Sequence, residues 1–338
     1  MLKKIFLLLS ISASYSVFAL QGYGKNDGGN NYPLYHVTTL ADSGTGSLRD
    51  ALSQSGRRVV FDVDGTIRLL KPITLSNINN LTIDGTYNKA QHVNLAISGY
   101  GIYLANSHDI ILQNFRIHDA AKYGLLISDN CYNIVADHMS IINSSQNDVE
   151  FGKNIDINNS AHDITISYSI IAYESSNQDV LETKYKGLLI TDNAMAPVSN
   201  VALHHNLFYQ NYQRSPEISS PGQFVMVNNI IYDWRSYGTR LRNSSQGDLI
   251  ENYYETRLLN KQKDALVITD DAKQYFLQDN WGVNLNLIPA NKQASNIVGK
   301  LPTITTSPAT ILLSTLPAQI GALPHDIQDN AILTGLKR

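Results

Sequence analysis

The stretch VALHHNLFYQNYQRSPEI, Val201–Ile218, decides the architecture. Val201 and Leu203 set a strand pattern that runs through His204, His205 and Asn206 into the apolar pair Leu207 and Phe208. A polar turn follows and carries a single Arg two residues ahead of a Pro, Arg214-Ser215-Pro216. Upstream, Lys186-Gly-Leu-Leu-Ile190 reads as a buried strand with a cation at its mouth. Downstream, Phe224 to Trp234 repeats the strand-plus-Asn design.

Working outward, the same design recurs. Ile110–Ile117, Ile134–Ile141, Ile164–Ile171, Val201–Phe208 and Phe224–Ile231 align, with starts 24, 30, 37 and 23 residues apart. A second short strand precedes three of them: Gly124–Ile127, Asn154–Ile157 and Gly187–Ile190. Units this short cannot bury a face alone, so they must stack. Two or three apolar strands per turn of about two dozen residues is the pattern of a parallel β-helix. The fold class is therefore all-β. The longer intervals place loops at 142–163 and 172–200, and loops inserted on one face of a solenoid commonly build its binding site.

The alignment puts Asn114, His138, Tyr168, His205 and Asn228 in one column, and Phe115, Met139, Ser169, Asn206 and Asn229 in the next. Asn at such corners bonds along the stack and satisfies the bend. His138, His204 and His205 could instead form a metal or acid–base cluster. The structural reading is preferred, because stacked polar residues at solenoid corners need partners.

The chain opens Met-Leu-Lys-Lys, continues with an apolar run from Ile5 to Leu9, and reaches small residues ending Val17-Phe18-Ala19. That is the pattern of a signal peptide over 1–19, with an apolar run too short to span a membrane. The product is expected to be secreted, extracellular or periplasmic, and monomeric. Residues 20–338 are expected to form one domain, with a capping segment from about 285 whose last part, Leu313–Leu336, covers apolar core at an open end. Net charge is −3 and no basic stripe points to nucleic acid. The single Cys131 permits no disulfide framework and reads as a small buried apolar residue. Near the start, Ser47 is a candidate N-cap of a short helix, with Asp50 three residues on.

Several pieces together resemble family 1 polysaccharide lyases, the pectate lyases, and specifically the secreted bacterial ones. They are Asp42-Ser-Gly-Thr-Gly-Ser-Leu-Arg-Asp-Ala-Leu52, Arg58–Ile67, Asn80–Gly85, Asp137-His138, Lys186–Ile190, His204–Phe208, Gln213–Pro216, Asn228–Trp234 and Gly321–Asp329. Each piece alone is weak, but they follow in order over nearly the whole mature chain. The resemblance implies a single-stranded right-handed parallel β-helix with an N-terminal cap helix, acting on polygalacturonate by β-elimination. Removing the C5 proton of a uronate develops charge on the adjacent carboxylate, so cations must stand near it. In the family, calcium and a Lys hold that carboxylate while an Arg takes the proton. Carried across, the Arg is Arg214 and the Lys is Lys186, with Lys184 as a rival.

This chain departs from the pattern at several positions. It has Glu217 and Ser219 where the family often has basic residues after the Pro, and Tyr123-Gly124 where an Asp is usual. The acidic segment is reduced to Gly152-Lys-Asn-Ile-Asp156, with Glu150, Asp148 and Asp129 close in sequence. The implied calcium site is thinned to Asp156 and Glu150. Lys153 is expected to repel calcium and to pair with the carboxylate of an acidic polysaccharide. An active polyuronate lyase is the first reading. A β-helix that binds carbohydrate without cleaving it is the second.

Overall fold

The computed structural model describes residues 20–24, 27–88, 95–148, 150–173, 185–192 and 196–336. The signal-peptide segment and Lys184 lie outside the described residues. Three parallel sheets, of ten, eight and eight strands, make a parallel β-helix. From residue 66 onward each sheet takes every third strand in chain order. The first holds His108–Gln113, Tyr132–Asp137, His162–Ser167, Ser199–His204 and Gln223–Val227 side by side. The second holds Arg116–Ala120, Ser140–Ile142, Ile170–Ala172, Leu207–Tyr209 and Ile230–Tyr232. The third holds Tyr123–Ser128, Lys153–Asn158, Leu188–Thr191, Glu217–Ser219 and Thr239–Leu241.

The register matches the alignment of the sequence residue for residue. Ile110, Ile134, Ile164, Val201 and Phe224 are successive partners in the first sheet, and all are buried. Each aligned octet is thus a first-sheet strand, a corner, and the start of a second-sheet strand. The corner residues Asn114, His138, Tyr168, His205 and Asn228 all have left-handed backbone, with φ between 45° and 55°. Asn tolerates that region better than most residues, which is why it recurs there.

Immediately after the corner runs a side-chain ladder. The Nδ2 of Asn206 donates to Asn229 Oδ1 at 3.0 Å, Asn229 donates to Asn252 at 2.9 Å, and Asn252 donates to Asn280 at 2.9 Å. Each of these three amides also donates to a backbone carbonyl of the preceding coil: Ile166, Leu203 and Met226. Ser169 extends the ladder, donating its backbone N–H to Asn206 Oδ1 at 3.0 Å. The backbone bend removes strand–strand bonds here, and the amide side chains replace them.

The outer faces of two sheets are covered. On the first, the glycine-rich N-terminal arm lies against the strands, with Gly24 and Gly29 donating to Thr165 and Thr82. The approach is close enough that a Cβ on Gly29 would lie 1.8 Å from the Arg57 carbonyl oxygen. Farther along, Leu301 and Ile304 pack on Ala202, Val225, Val227 and Ile250. On the second sheet lie Leu312–Thr315, its C-cap Leu316 and the helix Ile327–Gly335, and Leu312, Leu316, Ile332 and Leu333 pack on Ile142, Ile170, Leu207 and Ile230. Buried Arg116 pins this segment by ion pairs to Asp329 at 2.9 Å and Asp326 at 3.0 Å. The closing segment therefore covers a flank of the stack, where an open end was expected. Outward residues of the second sheet, such as Ile170 and Leu207, are apolar and need that cover. At the N-terminal end the short helix Leu48–Ala51 puts Leu48 and Ala51 into the core, and Ser47 caps it by accepting from the Asp50 N–H.

The third sheet presents a different outer face. Its outward column is Tyr103, Leu126, Asp156, Leu189, Glu217 and Arg240. The two long intervals of the sequence both open into this sheet, at Lys153 and at Leu188.

Asn229 gives the ladder its test. Asn229→Ala strips partners from the Leu203 carbonyl and from Asn206 in a buried setting. It is expected to cost about 2–4 kcal/mol and to lower the thermal midpoint by several degrees. Thermal unfolding followed by circular dichroism checks it, and an unchanged midpoint refutes it.

Candidate active site

On the open face of the third sheet the stack brings together cations from three successive coils. Tyr123 pairs with Lys153 across neighbouring strands, and the Asn154 N–H donates to the Lys186 carbonyl one coil on. Lys186 in turn bridges to Gln213, next to Arg214. Lys153, Lys186 and Arg214 thus follow one another up the stack at about 4.8 Å per coil.

Their surroundings differ. Lys153 is 3% exposed and donates from Nζ to Asp156 Oδ2 at 2.9 Å. It points into the site rather than into solvent. Burial lowers the Lys153 ammonium's affinity for its proton, Asp156 opposes that, and the Arg214 and Lys122 charges add to it. Lys186 donates to the backbone carbonyl of Glu150. Its pKa is likewise lowered, by burial and then by Arg214 and Lys153.

Arg214 stands 3.5 Å from Glu217, and its buried Nε–H makes no hydrogen bond. The reason is visible around Glu217. That carboxylate is fully buried and is taken by Arg240 at 2.6 Å, by Arg242 at 2.9 Å and by the Tyr237 hydroxyl. Burial works to raise the Glu217 pKa, but Tyr237 and the three guanidiniums hold it below the usual range. Sequence reasoning marked Glu217 and Ser219 as lost cations. The structure supplies Arg240 and Arg242 from the next coil instead. The signal that could have found them is the strand Thr239–Leu241, one coil beyond Glu217.

The expected calcium ligands are arranged poorly for a metal. Asp156 is already paired with Lys153, while its Oδ1 is buried without a partner. Glu150 is exposed, and its carbonyl, not its carboxylate, meets Lys186. Asp148 pairs with Lys122 at 3.3 Å, and Asp129 accepts from Asn159 at 2.9 Å. Calcium wants about six to eight oxygens. Among the described residues no cluster of three or more His, Cys, Asp or Glu could hold a metal. The described side chains therefore do not fit calcium, and two ammonium groups and a guanidinium stand there instead.

The histidine column lies elsewhere, at the corner between the first and second sheets. His138 stacks on Tyr168 at 5.1 Å, and Tyr168 stacks on His205 at 4.7 Å. His204 Nδ1 meets His205 Nδ1 at 3.1 Å, and His204 Nε2 lies 3.2 Å from the Gln21 carbonyl. These contacts give the imidazoles structural partners. Burial lowers His204 to about 4, with the Gln21 carbonyl opposing. Burial and the neighbouring His204 lower His205 to about 3.

The pH dependence has a definite sign. Unfolded imidazoles take up protons near pH 6.5, whereas these do so only well below it. Their contribution is complete above about pH 6.5 and is lost as pH falls through the range down to 4 and 3. His205→Asn keeps a residue suited to the left-handed corner. On going from pH 7 to 4.5 it should lose roughly 2 kcal/mol less stability than the parent, read from thermal midpoints across pH. Parallel pH curves for the two proteins would exclude the effect.

Comparison with known proteins bears on the site. A family model described as pectate lyase matches residues 71–307. A protein named "Probable pectate lyase C" from Emericella nidulans is 32% identical over 254 residues, covering 73% of this chain and 55% of that one. The chain thus spans little more than half the length of that curated relative, which is fungal rather than bacterial. Among solved structures, a pectate lyase from Bacillus sp. N165 in complex with trigalacturonate superposes with a TM-score of 0.63 at 18% identity, over 90% of this chain and 98% of that one. Pectate lyase C from Erwinia chrysanthemi at pH 9.5 with 30 mM Ca2+ gives 0.57 at 16%, over 92% and 98%. At such identities these structures speak to the fold alone.

Proposed function

The chain belongs to the pectate lyase family, and on that premise we propose that it is a secreted, monomeric lyase cleaving a pectate-like polyuronate by β-elimination. The observation that supports this reading is the cation column Lys153, Lys186 and Arg214 on the open face of the third sheet. Lys186 and Lys153 hold the carboxylate of the reacting sugar and stabilise the charge that develops on it. Arg214 takes the C5 proton as a neutral guanidine and becomes a guanidinium, the role its Gln-Arg-x-Pro motif carries in the family; an arginine is ordinarily protonated, so this base needs a strongly perturbed setting. The electrons of the C5–H bond form the C4–C5 double bond, the glycosidic C4–O bond breaks, and its oxygen leaves with the bonding pair and takes a proton from solvent.

Local order favours Arg214 over Arg240 and Arg242 for this work. The latter two are hydrogen-bonded to Glu217 at 2.6 and 2.9 Å, whereas Arg214 Nε stands 3.5 Å from the same carboxylate and makes no hydrogen bond to it. Arg214→Ala should reduce turnover on polygalacturonate by about 10²–10⁴-fold while the thermal midpoint stays near that of the parent. Arg214→Lys should fail as well, since a point-charge ammonium lacks the planar fork. The assay is absorbance of the unsaturated product. Near-normal turnover by Arg214→Ala refutes the role. An inactive parent that still binds the polymer would favour a carbohydrate-binding β-helix.

No step of this scheme passes through calcium. Turnover should persist in excess chelator and should fall by roughly tenfold or more in Lys153→Ala, the scale set by loss of a charge-assisted contact in a desolvated site. Chelator-abolished turnover together with an unaffected Lys153→Ala would show that calcium is bound in the ordinary way.

A further inference from the structure

One coil before Lys153 the outer face of the third sheet changes character. Tyr123 and Tyr103 meet edge to face, with ring centroids 5.7 Å apart at 63°. Two ammonium groups stand over the Tyr123 ring: Lys153 Nζ at 4.9 Å and Lys122 Nζ at 5.0 Å. Lys122 also stands 5.7 Å from the ring of Phe151, a residue 55% exposed. Tyr123 occupies the place where the family resemblance called for an acid. An electron-rich ring face attracts cations as a carboxylate does, but it gives up no negative charge to them. The ring thus holds these cations without neutralising them, and the carboxylates that share them are Asp156 for Lys153 and Asp148 for Lys122.

The two lysines are held differently. Lys153 is buried and shared with Asp156. The Lys122 side chain is 39% exposed and faces Asp148 at 3.3 Å, a carboxylate itself partly in solvent. Burial works against the charged form of Lys122, but Tyr123 and Asp148 outweigh it and raise its pKa. Around the open face stand Lys122, Lys153, Lys186, Arg214, Arg240 and Arg242 against Asp148, Glu150, Asp156 and Glu217, so the described charges leave an excess of cation.

We propose that Lys122 is a further carboxylate-binding residue for the polyuronate, and that Tyr123 is the positioning residue holding Lys122 and Lys153 at the right spacing. The subsite takes the carboxylate of a uronate neighbouring the one at Arg214, on the side of the stack toward the N-terminus. A polymer laid along the cation column Arg214–Lys186–Lys153 runs directly onto the Tyr123 coil, because Tyr123 is the register partner of Lys153. This assignment rests on the lyase reading for its ligand, but it does not require turnover.

The test is calorimetric binding of hexagalacturonate to the full chain in an Arg214→Ala background, which removes cleavage. Adding Lys122→Gln should weaken binding about tenfold and flatten its salt dependence, as loss of one ligand-facing charge requires. Tyr123→Leu should weaken it similarly, and Tyr123→Phe should restore most of the loss, since the ring face is kept. The Tyr123→Leu and Lys122→Gln losses should also be less than additive, because both act on one ammonium. Unchanged affinity in Lys122→Gln overturns the subsite while leaving the lyase reading intact. Equal damage from Tyr123→Phe and Tyr123→Leu overturns the positioning role. Absence of any hexagalacturonate binding by the Arg214→Ala protein itself overturns the lyase reading and the subsite with it.

Discussion

The structure depends on keeping every corner of the stack in hydrogen-bond register. Strands in parallel sheets satisfy their own backbone groups, but a bend between sheets leaves donors and acceptors without partners. The ladder of Ser169, Asn206, Asn229, Asn252 and Asn280 repairs the same bend in successive coils. Each Asn supplies one acceptor and two donors, which is what a corner between two identical corners needs. Because every rung bonds both neighbours, a slip of one coil would break bonds on two sides. The ladder therefore transmits register along the stack and fixes where each outward side chain of the third sheet stands.

That register brings the candidate site together. The side chains at Lys153, Lys186 and Arg214 come from segments 33 and 28 residues apart in sequence, yet they stand on successive coils. Their mutual repulsion is contained by two buried carboxylates. Asp156 takes Lys153, and Glu217 takes Arg240 and Arg242. A buried ion pair loses much of its attraction to desolvation, so these contacts are weak sources of stability. They are better understood as devices that place charge. Glu217 engages two guanidiniums by hydrogen bonds and leaves the third, Arg214, only at ion-pair distance. Among the described residues, Lys153, Lys186 and Arg214 give this face its positive charge.

Cover is distributed according to what each outer face needs. Ala202, Val225 and Val227 on the first sheet and Ile170 and Leu207 on the second are apolar, and chain segments from both ends lie over them. The third sheet turns Asp156, Glu217 and Arg240 to its outer side, where the two buried carboxylates are met by Lys153, Arg240, Arg242 and Tyr237. On the proposed reading, a long acidic polymer would lie on the third sheet, the one whose outer side carries charge.

Much of this was legible in the sequence. The repeat starting at Ile110, Ile134, Ile164, Val201 and Phe224 is at once a pattern in the chain and the list of partners in the first sheet. In a stacked solenoid a residue's neighbours are its counterparts one repeat away, so periodicity alone names them. The same reasoning placed the Asn column, the corner histidines and the two intervals that open beside the site, while local capping chemistry placed the Ser47 cap. Periodicity says which way a side chain faces, but not which charges meet across coils separated by loops of unequal length. Only the tertiary structure decided that Lys153 turns inward to Asp156 and Tyr123, that Glu217 gathers Arg240, Arg242 and Tyr237, and that Glu150 offers a carbonyl instead of a carboxylate. It also decided that the last residues lie along a flank. Their partners, Arg116 and Asn114, are more than 200 residues away, beyond the reach of any local pattern.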